Sequence, residues 1–343
     1  MTRTTDSLRP DIAIDPFQER SSAHARRRMR ILGAQFDFES SSPHLLGLVD
    51  LAYSGLPQHR LGGPIQKLRI TLESTSSERR GGSHAPPRLG MFSGAGMLCG
   101  ATARSNFVVV SPGERTALVV VPHEMLGNAY YTRYELIEFA VFTLAQRVQG
   151  LIPLHAACVG RGGRGLLLMG GSGAGKSTLA LHCLLAGFDF LSEDSTFVVA
   201  DSMCATGVAN FLHVRANSLK FLARGAAAAM IRKSPIIRRR SGVEKFEVDL
   251  RHTGYPLAAA PLKLDSLIFI SKELAGTRPL LVPLSRSRVL EYLAASQPYA
   301  ASLREWRAFR TNAVLLDAFE LRRGQHPQAA VAALRELTGV AGR

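Results

Sequence analysis

Cysteine is scarce in this chain: Cys99, Cys158, Cys183 and Cys204 are the four in 343 residues. None belongs to a C-x-x-C pair and three lie in apolar segments, which excludes a zinc ribbon or a disulfide framework and fits a reducing cytoplasm. Long apolar runs are also missing. No stretch approaches the roughly 20 uncharged residues of a membrane span. Residues 1–30, MTRTTDSLRPDIAIDPFQERSSAHARRRMR, lack the apolar core of a secretion signal. The sequence therefore predicts a soluble, cytoplasmic protein without a membrane partner. Aromatic residues are few, at 7%, and Trp306 in LREWRAF reads as a packing residue rather than a base-stacking platform. Acidic residues are outnumbered, 27 against 42 Lys and Arg, and the net charge of +15 favours anionic partners such as nucleotides, acidic proteins or nucleic acid. A solvated surface is the plainer alternative. Nucleic acid is disfavoured, because no helix-turn-helix, zinc-finger or RRM signature is readable and the arginines are scattered.

With 46% hydrophobic residues the chain can bury a substantial core, and its length suffices for two domains. Residues 1–28 are polar, hold Pro10, Pro16 and the run Arg26, Arg27, Arg28, and are expected to form a mobile arm. Residues 29–150 read as a smaller α+β domain. MRILGAQFDFES alternates as a strand, HLLGLVDLAYSGL has helical spacing, PIQKLRITLES reads as a strand and STSSERRGGSHAPPRLG as a loop. NFVVVSP and TALVVVP form a hairpin pattern, and YYTRYELIEFAVFTLAQRVQ a helix closed by Gly150. Residues 151–343 are expected to form an α/β catalytic domain, a mixed sheet flanked by helices. It opens with LIPLHAACV and GLLLMG around the turn GRGGR.

The strongest signal is Gly170-x-x-x-x-Gly175-Lys176-Ser177, a complete P-loop pattern that follows an apolar strand and precedes the helical run STLALHCLLAG. Gly170, Gly171, Gly173 and Gly175 are expected to free the backbone so that successive N–H groups, with Ser172 and Ala174 between them, curl around a phosphate. Lys176 can reach the outer phosphates, Ser177 can sit on Mg²⁺, and Thr178 is a weaker nucleotide contact. A glycine turn that only joins strand to helix is the plainer alternative. A P-loop names a nucleotide site and not a reaction. Here the first acidic pair, Glu193 and Asp194, ends the very next strand, FDFLSED, instead of lying at the end of a distant one, and this narrows the class.

The stretch LHAACVGRGGRGLLLMGGSGAGKSTLALHCLLAGFDFLSEDSTFVV resembles the HPr kinase/phosphorylase family, whose P-loop domain is shared with phosphoenolpyruvate carboxykinases. About fifty residues carry the likeness: a histidine in a strand, a glycine turn, an apolar strand, the P-loop, a helix ending in Gly and a strand ending in two acids. His155, Lys176 and Asp194 fall in register. The resemblance implies transfer of the γ-phosphate of ATP, with Mg²⁺, to a serine hydroxyl, with Asp194 as general base and His155 beside the phosphates. Glu193 takes the first acidic position, where a magnesium ligand acting through water is the natural role, although aspartate is more usual there. A strand end or helix cap is the plainer account of the acid pair, and a core residue that of His155.

The resemblance breaks at the family's LEIRG strand, where this chain has LHVRA, with His213 in the place of a metal-binding glutamate and Arg215 in that of the arginine. Glu247 or Asp249 in EKFEVDL could supply the missing acid. Counterparts of the family's later glycine-rich and Pro-Val-Arg segments are absent, so phosphorylase activity is not implied. The closer likeness is to HPr-kinase-related proteins that act on peptides or other proteins. The basic segment with Lys220, Arg224, Arg232, Lys233 and residues 238–240 reads as a helix followed by a flexible loop: a lid, a docking surface or a solvated loop. SRVLEYLAASQ and HPQAAVAALREL are amphipathic helices, and KLDSLIFI is a further strand.

The sequence thus predicts an ATP- and Mg²⁺-dependent serine kinase acting on a protein or peptide, with homo-oligomerisation left open. The alternatives are a nucleotide-regulated binding module and a small-molecule phosphotransferase.

Overall fold

The computed structural model of the chain describes residues 24–75, 89–103, 106–223 and 225–339. The alternating run expected to be one strand is a hairpin, β1 (Ala25–Ile31) and β2 (Ala34–Ser40), because Leu32 and Gly33 adopt φ of 50° and 83° and turn the chain back. β1 also corrects the end of the expected arm. Arg26, Arg27 and Arg28 lie in this strand and pair with Glu39, Asp50 and Asp37. Residues 1–23 of that arm and residues 76–88 of the loop expected over 74–90 lie outside the described residues, and Ser74, Thr75 and Gly90 of that loop belong to strands.

Ser42 caps α1 (Pro43–Tyr53), its hydroxyl accepting from the Leu45 N–H, and β3 (Lys67–Thr75) follows. β4 (Gly90–Gly94), β5 (Met97–Ala103), β6 (Asn106–Ser111) and β7 (Thr116–Pro122) complete a seven-stranded sheet in the order β1-β2-β3-β7-β6-β5-β4. β6 and β7 form the expected hairpin. β2, β3 and β7 run parallel, the remaining pairs antiparallel. The inward positions, Phe36, Phe38, Ile70, Leu72, Val108 and Val119, are fully buried against α1 and a long helical segment. That segment starts with the short α2 (His123–Leu126) and α3 (Ala129–Tyr131), passes through a π-helical stretch (Thr132–Ile137) and continues as α4 (Glu138–Gln149). Gly150, at φ 63°, ends it as expected.

The apolar run LIPLHAACV divides at His155 into β8 (Leu151–Leu154) and β9 (Ala156–Arg161), which pair with different neighbours. β10 (Arg164–Met169) follows β9 through the glycine turn. α5 (Lys176–Leu185), β11 (Asp189–Ser192), β12 (Thr196–Val199) and β13 (Cys204–Gly207) come next. Then come β14 (Phe211–Val214), a 3₁₀ segment (Ala216–Phe221), α6 (Ala226–Lys233), β15 (Ile236–Arg238) and β16 (Glu244–Asp249). The chain ends with β17 (Leu262–Leu274), β18 (Leu281–Pro283), α7 (Arg286–Ser296), α8 (Pro298–Ala301), α9 (Trp306–Ala313), β19 (Asp317–Arg323) and α10 (Pro327–Leu337).

The second sheet is mixed and has nine strands, β11-β9-β10-β17-β13-β12-β8 with β19 and β18 added beside β17. The middles of its central strands are apolar without alternation, Ala156–Val159 in β9, Leu166–Met169 in β10 and Leu267–Ile270 in β17, because both faces are covered. Ala156, Cys158, Leu167 and Met169 pack towards α7 and α9, whereas Ala157, Val159, Leu166 and Leu168 pack towards α5 and α10. A third sheet, β14-β16-β15, lies beside α5 and α6. The fold is therefore mixed α/β. Trp306 is buried and stacks on Phe309 with ring centroids 5.3 Å apart, a packing role. The four cysteines are free. Among the described residues no helix is long and apolar enough to cross a membrane.

Candidate active site

β10 delivers the chain to the glycine loop at 170–175, and α5 begins at Lys176. Gly173 and Gly175 have φ of 78° and 108°, torsions that L side chains rarely adopt, and a Cβ at Gly170 would come within 3.1 Å of the Ile270 carbonyl oxygen. Gly171 differs from the expectation for all four glycines: its φ is not positive and a Cβ there would meet open space, so no torsion demands glycine. No side chain caps the N-terminus of α5, so its first N–H groups and the positive end of its dipole remain available to an anion. The loop, with Ser172 and Ala174, borders a cleft of about 360 Å³. Eight lysine and arginine side chains line it, among them Lys176, Arg215, Lys220 and Arg239, and Asp194 is its one carboxylate among the described residues.

Lys176, His155 and Asp194 meet in this cleft. The Lys176 ammonium donates to the Gly170 carbonyl oxygen at 2.8 Å and lies 3.1 Å from His155 Nε2. His155 Nδ1 is 3.2 Å from Asp194 Oδ1, and Arg239 stands 3.9 Å from the other carboxylate oxygen. A neutral imidazole protonated at Nδ1 satisfies both contacts. Burial, with help from the Lys176 and Arg239 charges, holds the His155 pKa below its usual value against the opposing pull of Asp194. Burial likewise lowers that of Lys176, opposed by Asp194 and Glu193.

His155 sits at the break between β8 and β9, where its own backbone leaves the sheet ladder. The buried Gln297, just after α7, takes over: its Oε1 accepts from the His155 N–H at 2.8 Å, and its Nε2 donates to the His155 carbonyl at 3.4 Å. Nothing in the local sequence marks Gln297, which lies 142 residues away.

Glu193 is buried rather than solvated. Its Oε2 accepts from the His213 N–H at 3.0 Å and from His213 Nδ1 at 2.7 Å, and Lys245 lies 3.7 Å from its Oε1. Burial raises the Glu193 pKa, but the His213 hydrogen bond, the His213 and Lys245 charges and the Ser177 hydroxyl outweigh it and bring the group to about 2. His213 pairs across the strands with Glu247, and its Nε2 is 3.4 Å from Glu247 Oε1. Burial lowers the His213 pKa, yet the two carboxylates overcome this and raise it. Its ring nitrogens are taken by Glu193 at Nδ1 and by Glu247 and Tyr134 at Nε2, which leaves neither for a metal. Glu247 is not a free acid either, because Arg133 and Tyr134 from the π-helical stretch also donate to it. Asp249 is paired with Arg251. Neither replaces the glutamate missing at 213. Arg133 and Tyr134 went unmarked in the sequence; a helical pattern does not reveal that a π-turn aims two polar side chains at a distant strand.

For a magnesium ion the relevant groups are Ser177 and Glu193. Among the described residues no cluster of three or more His, Cys, Asp or Glu could hold a metal, which excludes a closed protein cage. A P-loop magnesium site takes few protein ligands and keeps its waters. Glu193 Oε1 is buried without a hydrogen-bond partner, and Ser177 is close enough to lower the pKa of this carboxyl. These two groups fit an ion that is held largely through water and phosphate.

The Thr178 hydroxyl bonds Ser218 at 2.9 Å, tying α5 to the 3₁₀ segment instead of presenting itself freely to a nucleotide. The basic segment is more ordered than the expected loop, because β15 pairs with β16. Its arginines have separate fates. Arg238 is exposed, Arg239 enters the cleft, and Arg240 pairs with Glu135 and lies over the Tyr131 ring. Arg232 and Lys233 are exposed, and Arg224 lies outside the described residues. The same cleft is lined by Phe221, His326 and Pro327, surfaces absent from the sequence reading.

No family model matches the chain, and no curated protein matches it. Among solved structures, the Hpr(Ser) kinase/phosphatase from Coxiella burnetii is similar, at 12% identity over 54% of this chain and 88% of its own, with a TM-score of 0.28. A likeness of that size decides nothing about the chemistry.

Proposed function

We propose that the chain is an ATP-dependent kinase that transfers the γ-phosphate to a serine hydroxyl of a protein or peptide. The observation that carries this reading is the contact series Gly170–Lys176–His155–Asp194: a loop suited to phosphate, a cation at its mouth and a carboxylate on the far side of one imidazole. In this reading the triphosphate lies along the glycine loop and the start of α5, neutralised by Lys176 and Arg239. Phe221, His326 and Pro327 offer apolar surface to the base. Asp194 accepts the seryl proton as the Oγ–P bond forms and the bond from Pγ to the β–γ bridging oxygen breaks, releasing ADP. His155 donates to Asp194 through Nδ1 and keeps its carboxylate turned to the acceptor. Ser177 and Glu193 would hold Mg²⁺, which, when bound, neutralises phosphate charge. Glu193 is kept ionised and fixed by His213.

The reading is tested with purified protein, γ-labelled Mg-ATP and serine-containing polypeptides, followed by phosphoamino-acid analysis. Label in phosphoserine supports it. Label that stays in ATP or appears only as inorganic phosphate, under conditions where nucleotide binds, contradicts it.

A further inference from the structure

His155 and Asp194 form part of the wall of two cavities. One is the cationic cleft; the other is a larger groove of about 1070 Å³. The groove runs between the edge strand β4, helix α4 and the short α8, and Met91, Phe92, Phe139, Phe142 and Tyr299 give it an apolar surface. Met91 and Phe92 are 60% and 62% exposed on β4, which among the described residues has no strand on its outer side. Exposed apolar side chains on an unpaired edge are a liability unless something covers them.

The charges of the two cavities differ. The cleft carries eight cations against one carboxylate, whereas the groove carries Arg147 and Arg240 against Glu135, Glu138 and Asp194, with Arg240 already paired to Glu135. Burial raises the Glu138 carboxyl to about 8, above the opposing influence of His213 and Arg133, so at neutral pH it adds hydrogen-bonding capacity rather than charge. Despite the overall charge of +15, the groove has no surplus of positive charge with which to attract a phosphorylated metabolite, nucleic acid or acidic peptide. Its volume is at the top of, or above, the ~300–1,000 Å³ usual for small-molecule sites. An open sheet edge beside it suits main-chain pairing with an extended peptide.

We propose that this groove is the acceptor site and that its occupant is an uncharged, apolar, extended polypeptide segment, which pairs along β4 and presents its serine to Asp194. The proposal rests on the kinase reading for the fate of that serine, but not for the binding itself.

The test uses a fluorescent peptide of ~10 residues, the length of a long strand, with one serine flanked by Leu and Val, and a matched peptide with Glu at those flanks. Binding to the full chain is followed by anisotropy in saturating Mg²⁺ and a non-hydrolysable ATP analogue. The apolar peptide binds at least about tenfold more tightly than the acidic one. Phe92→Asp on β4 and Tyr299→Asp on α8 each weaken it by a similar factor, while Leu315→Asp, an exposed residue lining neither cavity, leaves it unchanged. Retained affinity for the nucleotide analogue reports that each variant is folded. Equal or tighter binding of the acidic peptide, no binding of either, or insensitivity to both wall substitutions would overturn the groove assignment. Phosphorylation is scored separately: a bound apolar peptide that is never phosphorylated removes the kinase reading and leaves the docking site standing.

Discussion

His155 stands between Lys176 and Asp194, with its two ring nitrogens 3.1 Å from the ammonium and 3.2 Å from a carboxylate oxygen. One imidazole therefore links the lysine at the glycine loop to the carboxylate, in the proposed reading the phosphate side to the acceptor side. A neutral ring protonated at Nδ1 accepts from a cationic lysine and donates to an ionised aspartate, a charge distribution that suits phosphoryl transfer to a hydroxyl.

Removing the cation at the loop is expected to weaken nucleotide binding first. Lys176→Ala deletes a charge-assisted contact of roughly 1.5–3 kcal/mol, so affinity for a fluorescent Mg-ATP analogue should fall by about tenfold or more. An unchanged titration would show that the nucleotide phosphates lie elsewhere.

Gln297 is expected to matter chiefly through His155, whose backbone it holds. Gln297→Leu deprives the part-buried His155 N–H of its acceptor, at a cost of up to ~1 kcal/mol, and frees the backbone that aims the imidazole. Urea unfolding should register the loss. Transfer should fall more than nucleotide affinity, because Gln297 lines the acceptor groove and not the cleft.

Restoring a glutamate at 213 should not restore a metal site. His213→Glu places a third carboxylate beside Glu193 and Glu247, and the loss of a buried partner of this kind costs on the order of 3–5 kcal/mol. Chemical denaturation of the variant against wild type measures it; a stability within 1 kcal/mol of wild type, roughly the scale of a surface substitution, would mean that the His213 pairing contributes little.

Glu138 sets a pH dependence with a definite sign. Its folded pKa of about 8 lies above the ordinary 4.5, so between those values the folded chain keeps a proton that the unfolded chain has lost, and stability falls as pH rises through that window. Glu138→Gln mimics the protonated form. Its Tm should exceed that of wild type at pH 9, with the difference shrinking towards pH 5; a difference independent of pH would contradict the shift.

What was legible in the sequence was local. The glycine loop, the Lys176 start of α5 and Asp194 after β11 are set by short spacings, and each falls at one cleft. Long-range pairing was not legible. Glu193 read as a magnesium ligand acting through water or, more plainly, as a strand end, and nothing in the sequence showed the Glu193–His213–Glu247 series, which is assembled by β14 and β16 together with two side chains of a π-helical stretch. Gln297 reaches His155 only because α7 ends over the break between β8 and β9. The hairpin at Leu32 and Gly33 was missed although the apolar alternation changes phase there, from positions 29 and 31 to 34, 36 and 38. The apolar groove was hidden too, since β4 is short, glycine-flanked and carries its large side chains outward.

The most direct measurement is single-turnover transfer from γ-labelled Mg-ATP to a seryl peptide by Asp194→Asn, alongside its nucleotide affinity. Asparagine keeps the shape and the contact with His155 but cannot take the proton. The expected result is nucleotide affinity close to wild type and transfer slower by about 10²-fold or more. Transfer at the wild-type rate would show that Asp194 is not the base and would contradict the central assignment.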